Sequence, residues 1–241
     1  IAKFEKAADV DSSNKIVYPL WGNCLTELGR HEEASKQYAK AIELDNQNAF
    51  AYGFWGYSLS KQGKHQDAVK QYAKAIELDP NNVFVLKNWA RSLTEIGNYE
   101  ESIKRYQRAI ALNPNDSEVH RECGNCYYKI NQIREPIESF RRAVSLDGKD
   151  SESYRNLGLS LTKIAQHEEA VKCYQKAIEL NPKDEMAYGD WAGSLASLGR
   201  FDQAIEKFKK AIEINPENSV LYRQCGLSFA GLRKHEEAIG M

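Results

Sequence analysis

Apolar and small residues recur along this chain first at helical spacing and then at a longer, fixed one. Tyr52, Gly56 and Leu59 fall at i, i+4 and i+7, as do Tyr154, Gly158 and Leu161, and again Tyr222, Gly226 and Phe229. Each trio therefore shares one face of a helix. A second set of trios has the spacing i, i+4, i+7 too: Ala34, Tyr38 and Ala41; Ala68, Tyr72 and Ala75; Ala204, Phe208 and Ala211. The pattern predicts paired amphipathic helices in which small residues let two backbones approach while the aromatics fill the space beside them.

The longer spacing is 34 residues. The segment KQYAKAIELD at Lys36–Asp45 returns letter for letter at Lys70–Asp79. Trp21, Trp55 and Trp89 are 34 apart, and Trp191 lies three periods further on. With position 1 at Lys15, six complete repeats cover 15–48, 49–82, 83–116, 117–150, 151–184 and 185–218. Residues 1–14 supply the second helix of a truncated repeat, residues 219–241 begin another, and the whole reads as one continuous array. Position 27 is Ala in every register: Ala7, Ala41, Ala75, Ala109, Ala143, Ala177 and Ala211. Gly29, Gly63, Gly97 and Gly199 stand at position 15, where a left-handed helix end favours Gly. Pro80, Pro114, Pro182 and Pro216 stand at position 32 and stop the second helix.

Two repeats depart from this punctuation. In 117–150, Pro136 takes the small-residue position 20 and Gly148 replaces the terminal Pro, so the second helix should begin at about Pro136. Position 15 is Asn131 there and Ala165 in the next repeat. Ala adopts the left-handed conformation poorly, so a different hairpin turn is expected in 151–184.

The pattern Trp or Leu, Gly, Tyr, Gly, Ala, Tyr or Phe, Ala and Pro over 34 residues resembles the tetratricopeptide repeat, over essentially the whole chain. The resemblance implies an all-α fold, an α-solenoid: a right-handed superhelix of antiparallel helix pairs with the first helices lining a concave groove. No single hairpin buries its own apolar face, so stacking must supply the core. In that geometry first-helix positions 2, 5, 6, 9, 12 and 13 face the groove, opposite the packing face.

Those positions change along the chain. The N-terminal repeats present Ile16, Pro19 and Leu20, then Phe50, Phe54 and Tyr57. The central ones present Lys87, Asn88 and Arg91, then Glu118, Arg121, Glu122 and Asn125, then Glu152, Arg155 and Asn156. The last soften again, with Met186, Gly189, Gly193, Val220 and Leu227. An apolar anchor followed by charged residues in a partner segment would suit this order. The competing reading of Phe50 and Phe54 is burial between neighbouring helices. Arg121, Asn125 and Asn156 resemble part of a carboxylate clamp that grips peptide C-termini, but Met186 and Asp190 stand where the clamp needs basic residues. Asn88, Glu122, Asn156, Asp190 and Gln224 at position 6 are similar to the asparagine ladder of O-GlcNAc transferase superhelices, with two Asn members.

Composition narrows the function classes. Hydrophobic residues make up 42% and charged residues 28%, as suits a folded chain rather than a disordered one. No apolar run reaches the roughly 18 residues of a membrane span, so no membrane partner is expected. Net charge is −1, without the basic footprint a nucleic-acid partner needs. Five scattered cysteines imply no disulfide framework and fit a reducing compartment such as the cytoplasm.

Chemistry-bearing constellations are missing from the sequence, and neither catalytic residues, a metal nor a cofactor is expected. His31, His65, His167 and His235 share position 17, three of them in HEEA, but Ser35, Val171 and Ile239 replace the second His of the zinc motif HExxH. They read as packing residues near the hairpin turn. Cys123 and Cys126 form a CxxC inside a helix and read as small core residues. Asn115-Asp116-Ser117 is a glycosylation sequon, relevant only in a secreted protein. Glu32–Lys36, Glu100–Lys104 and Glu168–Lys172 should support their helices as i, i+4 pairs on a solvated outer face.

The expected function is a protein-interaction scaffold or adaptor, not an enzyme, that holds a protein or peptide segment in the groove. Its candidate residues are Phe50, Phe54, Tyr57, Lys87, Asn88, Arg91, Arg121, Glu122, Asn125, Arg155 and Asn156. Two alternatives remain: a structural subunit that self-associates head to tail into filaments, and a targeting arm of a larger enzyme whose catalytic domain lies elsewhere. The head-to-tail reading rests on Ile1 and Ile239 sharing position 21, which makes the array begin and end within a hairpin.

Overall fold

The computed structural model describes residues 1–232; His235 and Ile239 lie outside them. Among the described residues there are fourteen helices and no strand. They fall in two compact units, divided between Asn115 and Asp116.

The first unit holds α1 (Ala2–Val10), α2 (Val17–Glu27), α3 (His31–Leu44), α4 (Ala49–Lys61), α5 (His65–Leu78), α6 (Val83–Glu95) and α7 (Tyr99–Leu112). The second holds α8 (Ser117–Lys129), α9 (Glu135–Leu146), α10 (Ser151–Lys163), α11 (His167–Leu180), α12 (Glu185–Ser197), α13 (Phe201–Ile214) and α14 (Ser219–Gly231). In each unit a helix packs on the one before it and the one after it, as an all-α helical-repeat solenoid requires.

The small–aromatic pattern makes the core. Tyr38, Tyr72, Tyr106, Phe140, Tyr174 and Phe208 are all fully buried. A Cβ at Gly22, Gly56 or Gly158 would come within 2.7 Å of the facing Tyr38, Tyr72 or Tyr174 ring. Glycine there is what lets the aromatic of the second helix lie flat on the first. Buried hydroxyls join successive hairpins. Thr26 Oγ1 donates to the Gly22 carbonyl oxygen at 2.9 Å and lies 3.1 Å from both the Tyr38 and the Ser58 hydroxyl. The arrangement returns at Thr162, with Tyr174 at 3.2 Å and Ser194 at 3.0 Å. Position 12, expected on the groove face, is therefore turned inward at Thr26, which is only 7% exposed.

The hairpin turns are of one kind. Gly29, Gly63, Gly97 and Gly199 have φ between +70° and +78°, as expected of position 15. Ala165 adopts φ +58°, so the turn in 151–184 does not differ. The Gln166 and Ala165 N–H groups bond the Leu161 and Thr162 carbonyls, both at 3.0 Å, just as Arg30 and Gly29 bond Leu25 and Thr26. These paired bonds hold the alanine in a conformation it disfavours. Ala165→Gly should raise stability by about 1 kcal/mol, and Gly199→Ala should lower it by about as much. No atom stands within 4 Å of a Cβ built at Gly199, so this exchange isolates the backbone. Chemical-denaturation midpoints that moved in the same direction for both variants would contradict it.

The second helices stop where no proline stands. α3 ends at Leu44 before Asn46, and α9 at Leu146 before Gly148. What recurs is an Asx pair. Asp45, Asn113, Asp147, Asn181 and Asn215 each accept the N–H two residues on, between 2.9 and 3.4 Å. Three residues later Asn48, Asp116, Asp150, Asp184 and Asn218 cap the next first helix, and Asn82 caps α6 at the equivalent position. Pro136 is the second residue of α9 rather than its first, and α9 is two residues shorter than α11 or α13. Ile133, at the position of His31, His65 and His167, is left exposed.

The outer faces carry ion pairs, mostly at i, i+3 rather than the expected i, i+4, which Glu101–Arg105 keeps at 3.1 Å. Lys104 pairs with Glu101 at 2.6 Å rather than with Glu100. Lys40–Glu43, Lys74–Glu77, Lys176–Glu179 and Lys210–Glu213 repeat at i, i+3 between 2.7 and 2.9 Å. All are well exposed and each contributes little.

Candidate functional site

In the first unit α4 and α6 bring an aromatic cluster to one surface. Gly53 makes this approach feasible, because a Cβ there would stand 2.8 Å from the Val85 side chain. Phe50 and Phe54 lie 4.4 Å apart, centroid to centroid, and Phe54 stacks on Phe84 at 5.0 Å. Tyr57 also meets Phe84, tilted, at 5.5 Å between centroids. Phe54 also touches the buried Tyr38 ring at 6.4 Å, so its inner side belongs to the core. Phe50 and Phe84 remain 41% and 38% exposed. Burial between helices thus accounts for Phe54 in part and for Phe50 hardly at all. A cleft of about 430 Å³ opens here, lined by Phe50, Phe54, Phe84 and Val85 together with Asp79 and Asn82.

Charge surrounds the cluster. Lys61 Nζ sits 5.2 Å over the Tyr57 ring. Lys87 and Arg91 follow Phe84 at i+3 and i+7 on α6 and are half-buried. Asn88 is different: only 9% exposed, it donates to the Phe84 carbonyl at 2.8 Å and so serves its own helix. Phe84 was absent from the residues singled out by sequence. It holds position 2, the same as Phe50, and that coincidence was the signal available.

In the second unit the charged first-helix residues are engaged with one another. Arg121 donates from one terminal guanidinium nitrogen to Asp150 Oδ2 at 3.0 Å and from the other to Glu122 Oε1 at 3.1 Å. Its Nε lies 3.6 Å from Glu152 Oε2, an ion-pair distance beyond hydrogen bonding. A carboxylate thus faces each nitrogen that a clamp would turn toward a peptide terminus. Arg155 repeats the arrangement more loosely, with Nε 3.6 Å from Asp184 Oδ2. Asp150 and Asp184 are the caps of α10 and α12, which sequence reading did not connect to the arginines. Asn156 donates to Asn125 Oδ1 at 2.9 Å, and Asn125 reaches Glu122 at 3.5 Å. Of the ladder amides, that of Asn156 therefore joins neighbouring first helices, α10 to α8.

Asp190 stands apart from this network. Its Oδ2 is buried without a hydrogen-bond partner. Burial pushes its carboxyl up to about 6; Arg155 opposes the shift and Asp184 adds to it.

The remaining candidate chemistry is quiet. Cys123 and Cys126 are buried thiols, and burial pushes that of Cys123 up to about 12, far from a reactive thiolate. His31, His65 and His167 each open a second helix. Burial first, with Lys61 nearby, lowers the pKa of His31. Among the described residues no group of three or more His, Cys, Asp or Glu side chains converges as a metal site would. No described helix is long and apolar enough to cross a membrane.

Family models decide the larger question. Models of the tetratricopeptide repeat match residues 21–48, 49–82 and 151–184, and a TPR repeat model matches 90–131 and 194–232. This chain belongs to the tetratricopeptide-repeat family. Solved tetratricopeptide-repeat structures share its fold. MamA is 25% identical with a TM-score of 0.68, over 72% of this chain and 95% of that one. YrrB, described as a TPR protein with an unusual peptide-binding site, is 23% identical with a TM-score of 0.71, over 76% and 95%. The Cut9–Hcn1 hetero-tetramer of the APC/C is 17% identical with a TM-score of 0.62, over 93% of this chain and 45% of that one. Comparison with curated protein sequences finds no match.

Proposed function

We propose that this tetratricopeptide-repeat chain is a protein-interaction scaffold, and that the α4–α6 surface of its first unit holds a large apolar side chain of a partner segment. The observation that carries this reading is the exposure of Phe50 and Phe84 beside a cleft, where every other aromatic ring among the described residues is buried or half-buried. Apolar surface in contact with water at this cost is retained where a partner covers it. Half-open rings around a concavity suit one side chain inserted from an extended segment. Partner binding would also extend to Lys87 and Arg91 here and, in the second unit, to Glu122, Asn125, Arg155 and Asn156.

Phe84→Ala tests the reading without disturbing the core, because Phe84 is exposed where Phe54 is not. Peptides selected from a displayed random library on the intact chain should carry a Phe, Trp, Leu or Ile. Phe84→Ala should weaken them by about tenfold, measured by fluorescence anisotropy, with the helical circular dichroism unchanged. Selected peptides that bound Phe84→Ala as tightly as the parent would place the anchor elsewhere. A library that enriched nothing would remove the reading altogether.

A further inference from the structure

The carboxylate of Asp190 indicates what the second unit takes from a partner. Resting on the reading of the chain as a scaffold, but on a different surface, we infer that Asp190 receives a basic side chain, Lys or Arg, of a partner segment.

Three observations carry this. The first is a carboxylate left over. Asp190 holds position 6 of its hairpin, as Phe54 does in its own, and Phe54 lies on the buried Tyr38 ring of the hairpin before. Asp190 thus brings a charge to a place that the first unit fills with a phenyl ring. Its Oδ2 is buried with no hydrogen-bond partner among the described residues. The second is the sign of its surroundings. Arg155, the cation that acts on it, is shared: Nε lies 3.6 Å from Asp184 Oδ2, and a terminal nitrogen donates to the Met186 sulfur at 3.7 Å. Two carboxylates therefore divide one guanidinium, and Arg121 is likewise outnumbered by Glu122, Asp150 and Glu152. The third is room of a suitable kind. Met186, a turn before Asp190 on α12, is 58% exposed. Gly193, a turn after it, has no described atom within 4 Å of a Cβ built on it. It lines a cleft of about 220 Å³ together with Ala196, Gln224 and Leu227. A carboxylate with apolar surface on either side suits a side chain that has a long aliphatic stem and a cationic end.

The affinity should follow the charge of this carboxyl. The groups that act on it are Arg155 of α10, Asp184 at the start of α12 and the Tyr174 phenol of α11, which burial keeps protonated. From α13, Lys207 lies over Trp191 and pairs with Glu206. From α14, the uncharged Gln224 lines the cleft, while Arg223 is exposed at position 5, from which Arg121 and Arg155 reach the start of the next first helix. Burial raises the Asp190 carboxyl to about 6, so its charge is present above that value and lost as pH falls through it. A cation should bind more tightly as pH rises through about 6, and its binding should drive the Asp190 proton off.

Four short peptides with capped ends, alike except for a central Lys, Arg, Gln or Glu between serines, are titrated into the intact chain while the backbone amide signals of Gly189 and Gly193 are followed by NMR. The Lys and Arg peptides should shift both signals saturably at about pH 7.5 and bind about tenfold more weakly at about pH 5. The Gln and Glu peptides should move neither. Asp190→Asn, which keeps the shape and removes the charge, should bind the Lys and Arg peptides no better than the Gln peptide. Phe84→Ala should leave their binding as it is, because that ring lies in the first unit. Lys binding that is equal at the two pH values, that survives Asp190→Asn or that the Gln peptide matches overturns the inference. So does a parent chain in which neither signal moves. A Phe84→Ala loss of the library-selected peptides, with no response at Gly189 and Gly193, would keep the first-unit anchor and remove this site. The reverse pair of results would remove the anchor and keep this site.

Discussion

Replacing Arg121 with Ala should lower the stability of the second unit by about 2 kcal/mol, the discounted cost of stripping a partly buried carboxylate cluster of its cation. Arg121 and Asp150 side chains are 21% and 10% exposed, and the loss leaves Asp150 facing Glu122 and Glu152 with no counter-charge. Asp150 also caps α10, so the damage reaches a helix end. Burial on its own would raise the Asp150 carboxyl. The Ser153 hydroxyl and N–H, together with Arg121, outweigh burial and hold it below its ordinary value of 3.8. A depressed acid contributes stability that is present above 3.8 and lost as pH falls through the folded value. Arg121→Ala should therefore both lower the urea midpoint at neutral pH and flatten its decline in acid. Lys in place of Arg should restore only part, since one ammonium cannot face three carboxylates in a plane. An unchanged midpoint at neutral pH would show that the cluster is solvated well enough to do without its cation.

The opposite sign is expected at Asp190. Its carboxyl, raised from 3.8 to about 6 mainly by burial, favours the protonated form in the folded state. Its contribution is fully present below 3.8 and lost as pH rises through about 6. At neutral pH the fold carries a carboxylate stripped of water, with an oxygen that nothing bonds. Asp190→Asn keeps the shape and removes the charge, and should stabilise the protein by about 2 kcal/mol at neutral pH while changing little near pH 4. Trp191 is the next residue and packs on the core of this region, so its fluorescence reports the local transition directly. Parent and variant midpoints that stayed parallel from about pH 4 to about pH 8 would refute the assignment.

These two aspartates mark what the sequence could and could not reveal. The fold was legible because its determinants are local and periodic: Gly at position 8 against Tyr or Phe at position 24, Ala at 27, and a left-handed residue at 15. The aromatic pair Phe50 and Phe54 was legible as well, because it breaks a polar face. Arg121 and Asp150 were both visible as charges, but their pairing spans 29 residues and exists only once two hairpins stack. Asn88 looked like a groove residue from its spacing, yet a carbonyl one turn back claims its amide. The raised Asp190 carboxyl depends on how much water reaches it, which no spacing encodes. Ala165 runs the other way: two turn hydrogen bonds outweigh its poor intrinsic preference for the left-handed region.

The buried hydroxyls have a consequence for how such a chain can be lengthened or shortened. Thr26 binds Tyr38 of its own hairpin and Ser58 of the next, so the smallest set of mutually dependent hydroxyls spans two hairpins. The Thr162, Tyr174 and Ser194 set is a second copy four periods on. Unequal recombination that joined one copy to the other in register would keep every hydroxyl partnered. A crossover placed between Thr26 and Ser58 and rejoined to an unrelated hairpin would strand one of them in the core. Duplication of this gene segment is thus constrained to breakpoints that either carry the triad whole or join the two copies in register.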